Sequence, residues 1–399
     1  MDSSNTDNMK QQSEASRVWN NAFCFQLLDA INCAHNGSGE ASNKTNVLIS
    51  PMAITIAFFP ILFRSSERVR AHILGAIGLE SYDEFMRLMT SIFRHNGENS
   101  SLSLNACIWA DSVRDLYMAH AFNDELPFEL MDTSAHDVVW LQEKLNQWVT
   151  CCTHNRVPEL KLRSPHKPRV MITSAIHFMD LWKTQFDPEE TSLAPFHLLD
   201  GSTVDVPMMS AAVQGLVEDR EHYQCISMRM ENETNRVRFI TPKLSSENNG
   251  DYTSAFNRLV TFAVSNDWNL DGRPKKSVQW GWVSIRLPKC TLKSSFDVRD
   301  HLESLGLSLL YQPGCLEHIT GNTNDCIESI THSVYYDQNE RGVEAAAVAA
   351  IIIPKCRLKV VTLDRPFLVI VDSGDRTGKS GPCMPPLFIA QVVNPLIVE

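Results

Sequence analysis

The chain has 399 residues, 43% of them hydrophobic, and its 47 acidic side chains outnumber 36 basic ones for a formal net charge of -11. That length can bury one large core. The acidic balance excludes a general nucleic-acid binder, because a polyanion must be met by clustered Lys and Arg that release its counterions.

Residues 1–16, MDSSNTDNMKQQSEAS, are polar throughout and lack the charged and apolar regions of a secretory signal. They read as a mobile tail, followed by a single domain over residues 17–399. The candidate breaks, Asn36 to Asn43 and Ser245 to Gly250, are short surface loops, and no repeat or low-complexity run is visible. The 11 cysteines form no C-x-x-C spacing, and an odd count suits a reducing compartment. The cytoplasm is therefore the default location. Export through an uncleaved internal signal or a non-classical route is the alternative, and only then would the sequons at Asn36, Asn43, Asn99 and Asn232 matter.

In chain order, apolar residues recur at helical spacing over Trp19–Cys33. Val47 to Phe63 is an uncharged apolar run of 17 residues, marginal for a membrane span because Pro51 and Pro60 lie inside it. A buried strand running into a core helix explains it better. Helical spacing returns over Val69–Leu79, Tyr82–Phe93 and Val139–Cys151. Lys161, Arg163, Lys167 and Arg169 then fall within a short window with His166, a patch that could meet a sulfated polysaccharide or another acidic partner. A solvated loop held by Pro165 and Pro168 is the better account. Val170–Phe178, Val278–Leu287, Lys359–Val371 and Leu387–Val393 are rich in β-branched and aromatic residues and read as strands. Helices early and strands late suggest an α+β fold.

Enzyme signatures fail. Ser373 to Ser380, SGDRTGKS, is one Gly short of a phosphate-cradling loop, and Gly381, Pro382, Pro385 and Pro386 forbid the helix that must follow, so it reads as a hairpin turn. No nucleophile elbow, zinc pair or dinucleotide turn occurs, and the 13 His residues show no metal-ligand spacing. No cofactor or metal is expected.

From about Trp19 to Pro395 the chain resembles the serpins. Asn46-Val-Leu-Ile-Ser-Pro51 looks like that family's N-V-x-x-S-P opening, and Leu145-Asn-Gln-Trp-Val149 with Thr153 its N-x-W-V-x-x-x-T helix. Trp182, Phe186, Asp187, Phe196, Gly201 and Val206-Pro-Met-Met209 follow in the family's order. Leu287-Pro-Lys289, Leu305-Gly306, His332, Asn339 to Ala347 (NERGVEAAA), Asp364-Arg-Pro-Phe367 and Val393-Asn-Pro395 complete the series. Each motif is weak alone, but a chance match would have to succeed at every step. The resemblance implies three β-sheets, eight or nine helices and an exposed reactive-centre loop, here about residues 342–363. It implies no catalysis. The expected function is suicide inhibition of a serine or cysteine peptidase by a monomer that binds no nucleic acid or membrane, with a non-inhibitory chaperone, carrier or storage protein as the alternative.

Inhibition requires the cleaved loop to enter a large sheet as a new central strand, a mode in which every second side chain is buried. From Val343 that parity selects Val343, Ala345, Ala347, Ala349, Ile351 and Ile353, all apolar. Glu344, the only charge, and Ala346 have the opposite parity, and Pro354 comes only where insertion would end. The hinge is therefore Gly342, Val343, Glu344, Ala345, Ala346, Ala347 and Ala349. On residues alone a buried Ala-rich helix fits VEAAAVAAIII equally well, and the resemblance decides for the loop.

The same resemblance assigns a sheet-opening cluster to Ser50, Ser174 and His332, with Trp182 nearby. Ser174 replaces the family's Asn and Ala53 its second Ser, while Val343 stands where a polar residue is usual and Asp180 where Gly is usual. Counting from Gly342 puts the reactive bond between Cys356 and Arg357. Lys355 and Arg357 would each suit a trypsin-like pocket, so cleavage after Lys355, or between Arg357 and Leu358, is the alternative.

Overall fold

The computed structural model describes residues 21–36, 45–98, 101–111, 128–244, 251–264, 280–320, 322–343, 358–373 and 384–398. The expected tail, the loop residues Glu344, Ala345, Ala346, Ala347, Ala349, Lys355, Cys356 and Arg357, and most of the Ser373 to Ser380 turn lie outside them.

Helix α1 (Asn21–Asn36) leads to the 17-residue apolar run, which forms strand β1 (Val47–Ile49) and helix α2 (Pro51–Arg64). Ser50 makes the junction: its Oγ accepts the Ala53 N–H at 3.1 Å and caps the helix, while Pro51 sits at the first position, where its missing N–H has no intrahelical partner to lose. Every residue from Asn46 to Leu62 is buried. No helix among the described residues is long and apolar enough to cross a membrane. Helix α3 (Glu67–Ile77) starts on the Ser66 cap and stops at Gly78, whose φ of 75° is the left-handed conformation that closes a helix at low cost. Helix α4 (Tyr82–Glu98) follows, and α5 (Val138–Cys152) opens on Asp137, whose carboxylate accepts the Trp140 N–H at 2.9 Å.

Strands β2 (Leu102–Ala110), β3 (Phe128–Asp132), β4 (Val170–Phe178) and β5 (Asp180–Leu181) belong to one sheet with β11 (Cys290–Asp297), β12 (Ser329–Gln338) and β13 (Gly342–Val343). Its order is β3-β2-β4-β12-β13-β5, with β11 on the far side of β12. All nine residues of β4, including Thr173, Ser174 and His177, are buried because both its faces are covered. Ile172 and Ile176 pack into the main core, whereas Met171 and Ala175 pack with Leu141, Leu145 and Trp148 of α5.

The other sheet contains β6 (Ser192–His197), β7 (Thr203–Asp219), β8 (Tyr223–Arg229), β9 (Arg236–Pro242), β10 (Gly281–Pro288), β14 (Lys359–Thr362), β15 (Phe367–Asp372) and β16 (Phe388–Val392), with β1 at one edge and β14 at the other. Helix α6 (Tyr252–Val264) packs against β9 and α1.

The architecture is α+β. The described strands form two sheets rather than three, because the 17-residue β7 pairs with β6 and β10 through its first part and with β8 through its last, joining strands that a shorter element would leave apart. Six helices run eleven residues or longer among the described residues. The stretch Lys359–Val371, expected as one strand, is two, since Asp364-Arg365-Pro366 breaks the ladder. Ser373 follows β15, whose antiparallel pairing with β16 is the arrangement a hairpin connection gives. Every described cysteine is a free thiol, and among the described residues no group of three or more His, Cys, Asp or Glu could hold a metal.

Candidate sheet-opening site and hinge

Strands β4 and β12 lie side by side in parallel from Met171 and Ser329 to Ile176 and Val334. Their register sets Ser174 opposite His332. The imidazole is fully buried; its Nε2 accepts the Ser50 backbone N–H at 3.0 Å, and its Nδ1 lies 3.1 Å from Ser174 Oγ. A backbone N–H can only donate, so Nε2 is unprotonated and the neutral ring carries its proton on Nδ1, which donates to Ser174 Oγ. One imidazole thus ties together the start of α2 and both strands that insertion would separate. Ala53, lacking a hydroxyl, contributes only its N–H, to Ser50 Oγ.

Burial holds the His332 imidazole far below its ordinary value of 6.5, at about 3. The folded state therefore stays unprotonated where the unfolded chain takes up a proton. The associated stability is complete above pH 6.5 and is lost as pH falls toward 3, by about 1.4 kcal/mol per pH unit. His332→Gln is expected to remove that slope: its urea midpoint, compared with the parent from pH 7 to about 4.5, should fall more gently by about one proton. Parallel curves would show that His332 does not carry the dependence.

Above Ile176 and Val334 the two strands part, and a different set of groups fills the opening. Gly342 pairs with Leu181, and Val343 pairs with Asp180 on one side and Gln338 on the other. A Cβ at Gly342 would lie 2.1 Å from the Asp180 carbonyl oxygen, so only glycine permits this approach. Val343 is fully buried in the main core, which accounts for an apolar residue at a position where the family favours a polar one. Trp182, also fully buried, donates its backbone N–H to Arg341 O at 2.8 Å and its Nε1–H to Asn339 O at 2.9 Å. Phe186 N–H donates to Glu340 O at 2.8 Å.

The Glu340 side chain accepts from Lys289 Nζ at 2.8–2.9 Å and from Thr191 Oγ1 at 3.0 Å. Burial pushes its carboxyl up, but these hydrogen bonds and the Lys289 charge outweigh it and hold the group low. Asp180 goes the other way: burial raises it, against hydrogen bonds from Asn235, Asn232 and Leu181. Asn235 in turn accepts from Ser373 Oγ, which also contacts His95 Nε2, so a polar chain runs from beside the hinge to α4. Sequence reasoning noticed Asp180 only as a departure and missed Asn235, Ser373, Lys289 and Glu340. Contacts across 51 to 278 residues leave no local signal.

In the basic cluster, weighed above against a solvated loop, three of the four cations have close carboxylate partners. Lys167 pairs with Asp111 at 2.6 Å and donates to two carbonyls, Arg169 pairs with the buried Asp325 at 2.7 Å, and Arg163 pairs with Asp300 at 2.8 Å. Lys161, 3.9 Å from Glu159, is highly exposed and contributes little. The structure favours the solvated loop over a polyanion site.

Residues 19–395 match the family model described as Serpin (serine protease inhibitor). Serpin A3-6 of Bos taurus is 23% identical over 88% of this chain and 83% of its own length, and Serpin-ZX of Arabidopsis thaliana is 24% identical over 92% and 96%. Among solved structures, Serpin48 of the insect Tenebrio molitor superposes with a TM-score of 0.74 at 20% identity, covering 94% of this chain and 96% of that one. Human thyroxine-binding globulin, solved with thyroxine, gives 0.72 at 21% identity over 94% and 97%.

Proposed function

The chain belongs to the serpin family, and from that premise we propose that it is a suicide-substrate inhibitor of peptidases. The observation that supports this most is β13: Gly342 and Val343 already occupy the head of the parting between β4 and β12, and Val343 points into the core. A strand continued from Val343 in the same alternation turns Ala345, Ala347 and Ala349 inward.

The chemistry belongs to the target. The peptidase's Ser or Cys nucleophile attacks the carbonyl of the residue before the bond. The amide C–N bond breaks, the new amine leaves with a proton, and an acyl-enzyme ester or thioester remains. Loop insertion then drags the attached peptidase across the sheet and distorts it before water can hydrolyse that link. This chain supplies the bait and the stored conformational energy, and catalyses nothing.

The test is incubation with a panel of serine and cysteine peptidases, looking for a complex that survives boiling in detergent. A chaperone, carrier or storage role predicts clipping without such a complex. We expect the C-terminal fragment released after inhibition to begin at Arg357. A fragment beginning at Leu358 moves the bond one residue on, into a trypsin-like pocket filled by Arg357; one beginning at Cys356 puts Lys355 in that pocket. A start outside Cys356 to Leu358 removes the bait assignment altogether.

A further inference from the structure

The segment read as the bait rejoins the described chain at Leu358, and β14 continues from it as an edge strand of its sheet among the described residues. β14 pairs in parallel with β10, setting Val360 beside Ser284, one step past Val283 and Lys359. Alternation sends Val283, Ile285 and Val361 inward, where they are buried. The opposite face carries Val360, 64% exposed, with half-buried Trp282 and Ser284 on β10. Trp280, two residues before Trp282, is also half-buried, and the Arg229 guanidinium lies 4.3 Å from the centre of its ring.

Single exposed apolar residues are ordinary on a protein surface. Trp282 and Val360 sharing one sheet face, with Trp280 just before the strand under Arg229, are less so, and aromatic and Arg side chains are the types that dominate binding energy at interfaces. What covers this face follows from reach. A peptidase holding Lys355 to Leu358 in its cleft is tied to Leu358 by at most three residues, which span no more than about 10 Å. Neighbouring strands are only about 4.8 Å apart. A globular peptidase seated at that bond therefore comes within reach of Val360 and Trp282.

We propose that Trp282 and Val360, flanked by Trp280 and Arg229, form a second contact surface for the target peptidase. It rests on the reading of residues 355–358 as the bait. The surface selects a peptidase whose cleft rim is apolar opposite Val360 and Trp282 and acidic opposite Arg229. It speeds encounter and adds specificity beyond what the loop residues encode.

The test uses Val360→Glu and Trp282→Ser in the full chain, with thermal midpoints to confirm folding. Val360→Thr serves as a conservative variant in case either fails to fold. The second-order rate of attack on the loop is measured for a panel of trypsin-like serine peptidases, alongside hydrolysis of a synthetic peptide copying residues 345–358. The expected result is a loss of about tenfold or more in attack on Val360→Glu or Trp282→Ser by the preferred peptidase, equivalent to about 1.4 kcal/mol, and a smaller loss for Val360→Thr. Peptide hydrolysis is the reference for what the loop residues alone supply, and it should not discriminate among peptidases as the parent protein does. Unchanged rates for every peptidase that cuts between Lys355 and Leu358 overturn the proposal. So does a variant that only turns a dimer into a monomer, which would make this face a self-association surface. Loop cleavage without a detergent-stable complex defeats the inhibitory reading but leaves the rate comparison decisive, whereas no cleavage between Lys355 and Leu358 defeats both.

Discussion

Cutting the chain between Lys355 and Leu358 is expected to raise its melting temperature by roughly 20 °C. In the uncut protein β4 and β12 are direct neighbours over six residue pairs, Met171 with Ser329 through Ile176 with Val334. Parallel pairing of this kind is slightly the weaker of the two ladder types. A strand entering between them replaces one parallel ladder with two antiparallel ones. It also buries the small apolar side chains of the loop. A net gain of about ten ladder bonds at about 1 kcal/mol each gives about 10 kcal/mol. At about 2 °C per kcal/mol for a chain this long, the melting temperature moves by the stated amount. Entry also requires parting Ser174 and His332, the contact that holds the two strands together below the opening. That contact sets a barrier and does not alter which state is lower. Scanning calorimetry before and after limited proteolysis measures the shift. Equal melting temperatures would mean that the cut loop stays out, and the inhibitory reading would not survive.

The parts of this fold that could be read in the sequence are those in which a local pattern and the final environment agree. Val170–Phe178 is rich in β-branched and apolar residues because both sides of β4 are covered, so composition alone located the strand to the residue. The apolar run from Val47 forms the expected strand and helix, which its two prolines made a better account than a membrane span, and Ser50-Pro51, a cap followed by a first-turn proline, divides them. By contrast β7 alternates irregularly between buried and half-exposed positions, since different stretches of it face different partners, and no single period describes it. Its length then merged two expected sheets into one. The site divides in the same way. Ser50 and Ser174 lie 282 and 158 residues from His332, and only the resemblance brought them together. The chain from Asp180 through Asn235 and Ser373 to His95 has no counterpart in any motif, and local chemistry could not have assembled it.

Ala347→Arg should convert the protein from inhibitor to substrate while leaving the uncut fold intact. The structure sharpens the reason. Val343 is held in β13 with its side chain fully buried, so the alternation along the chain is set before any loop residue moves. On the proposed inhibitory reading, a strand continued from it in the same alternation would turn Ala345, Ala347 and Ala349 toward the core and Glu344 and Ala346 away. An arginine at residue 347 would be carried into an apolar interior with no carboxylate waiting for it. An unpaired buried charge costs at least several kcal/mol even after local relaxation. Insertion competes with hydrolysis of the acyl-enzyme, so a loss of about 3 kcal/mol in the insertion step shifts the partition toward hydrolysis by about a hundredfold. The same substitution one residue earlier is the control. Ala346→Arg turns its charge outward and is expected to retain most of the detergent-stable complex. The number of inhibitor molecules consumed per peptidase, measured by titration for both variants, separates the outcomes. A large rise for Ala347→Arg with little change for Ala346→Arg is the expected result. The reverse order would show that the inserted strand runs one residue out of the register assigned here, and equal behaviour would show that no strand is inserted at all.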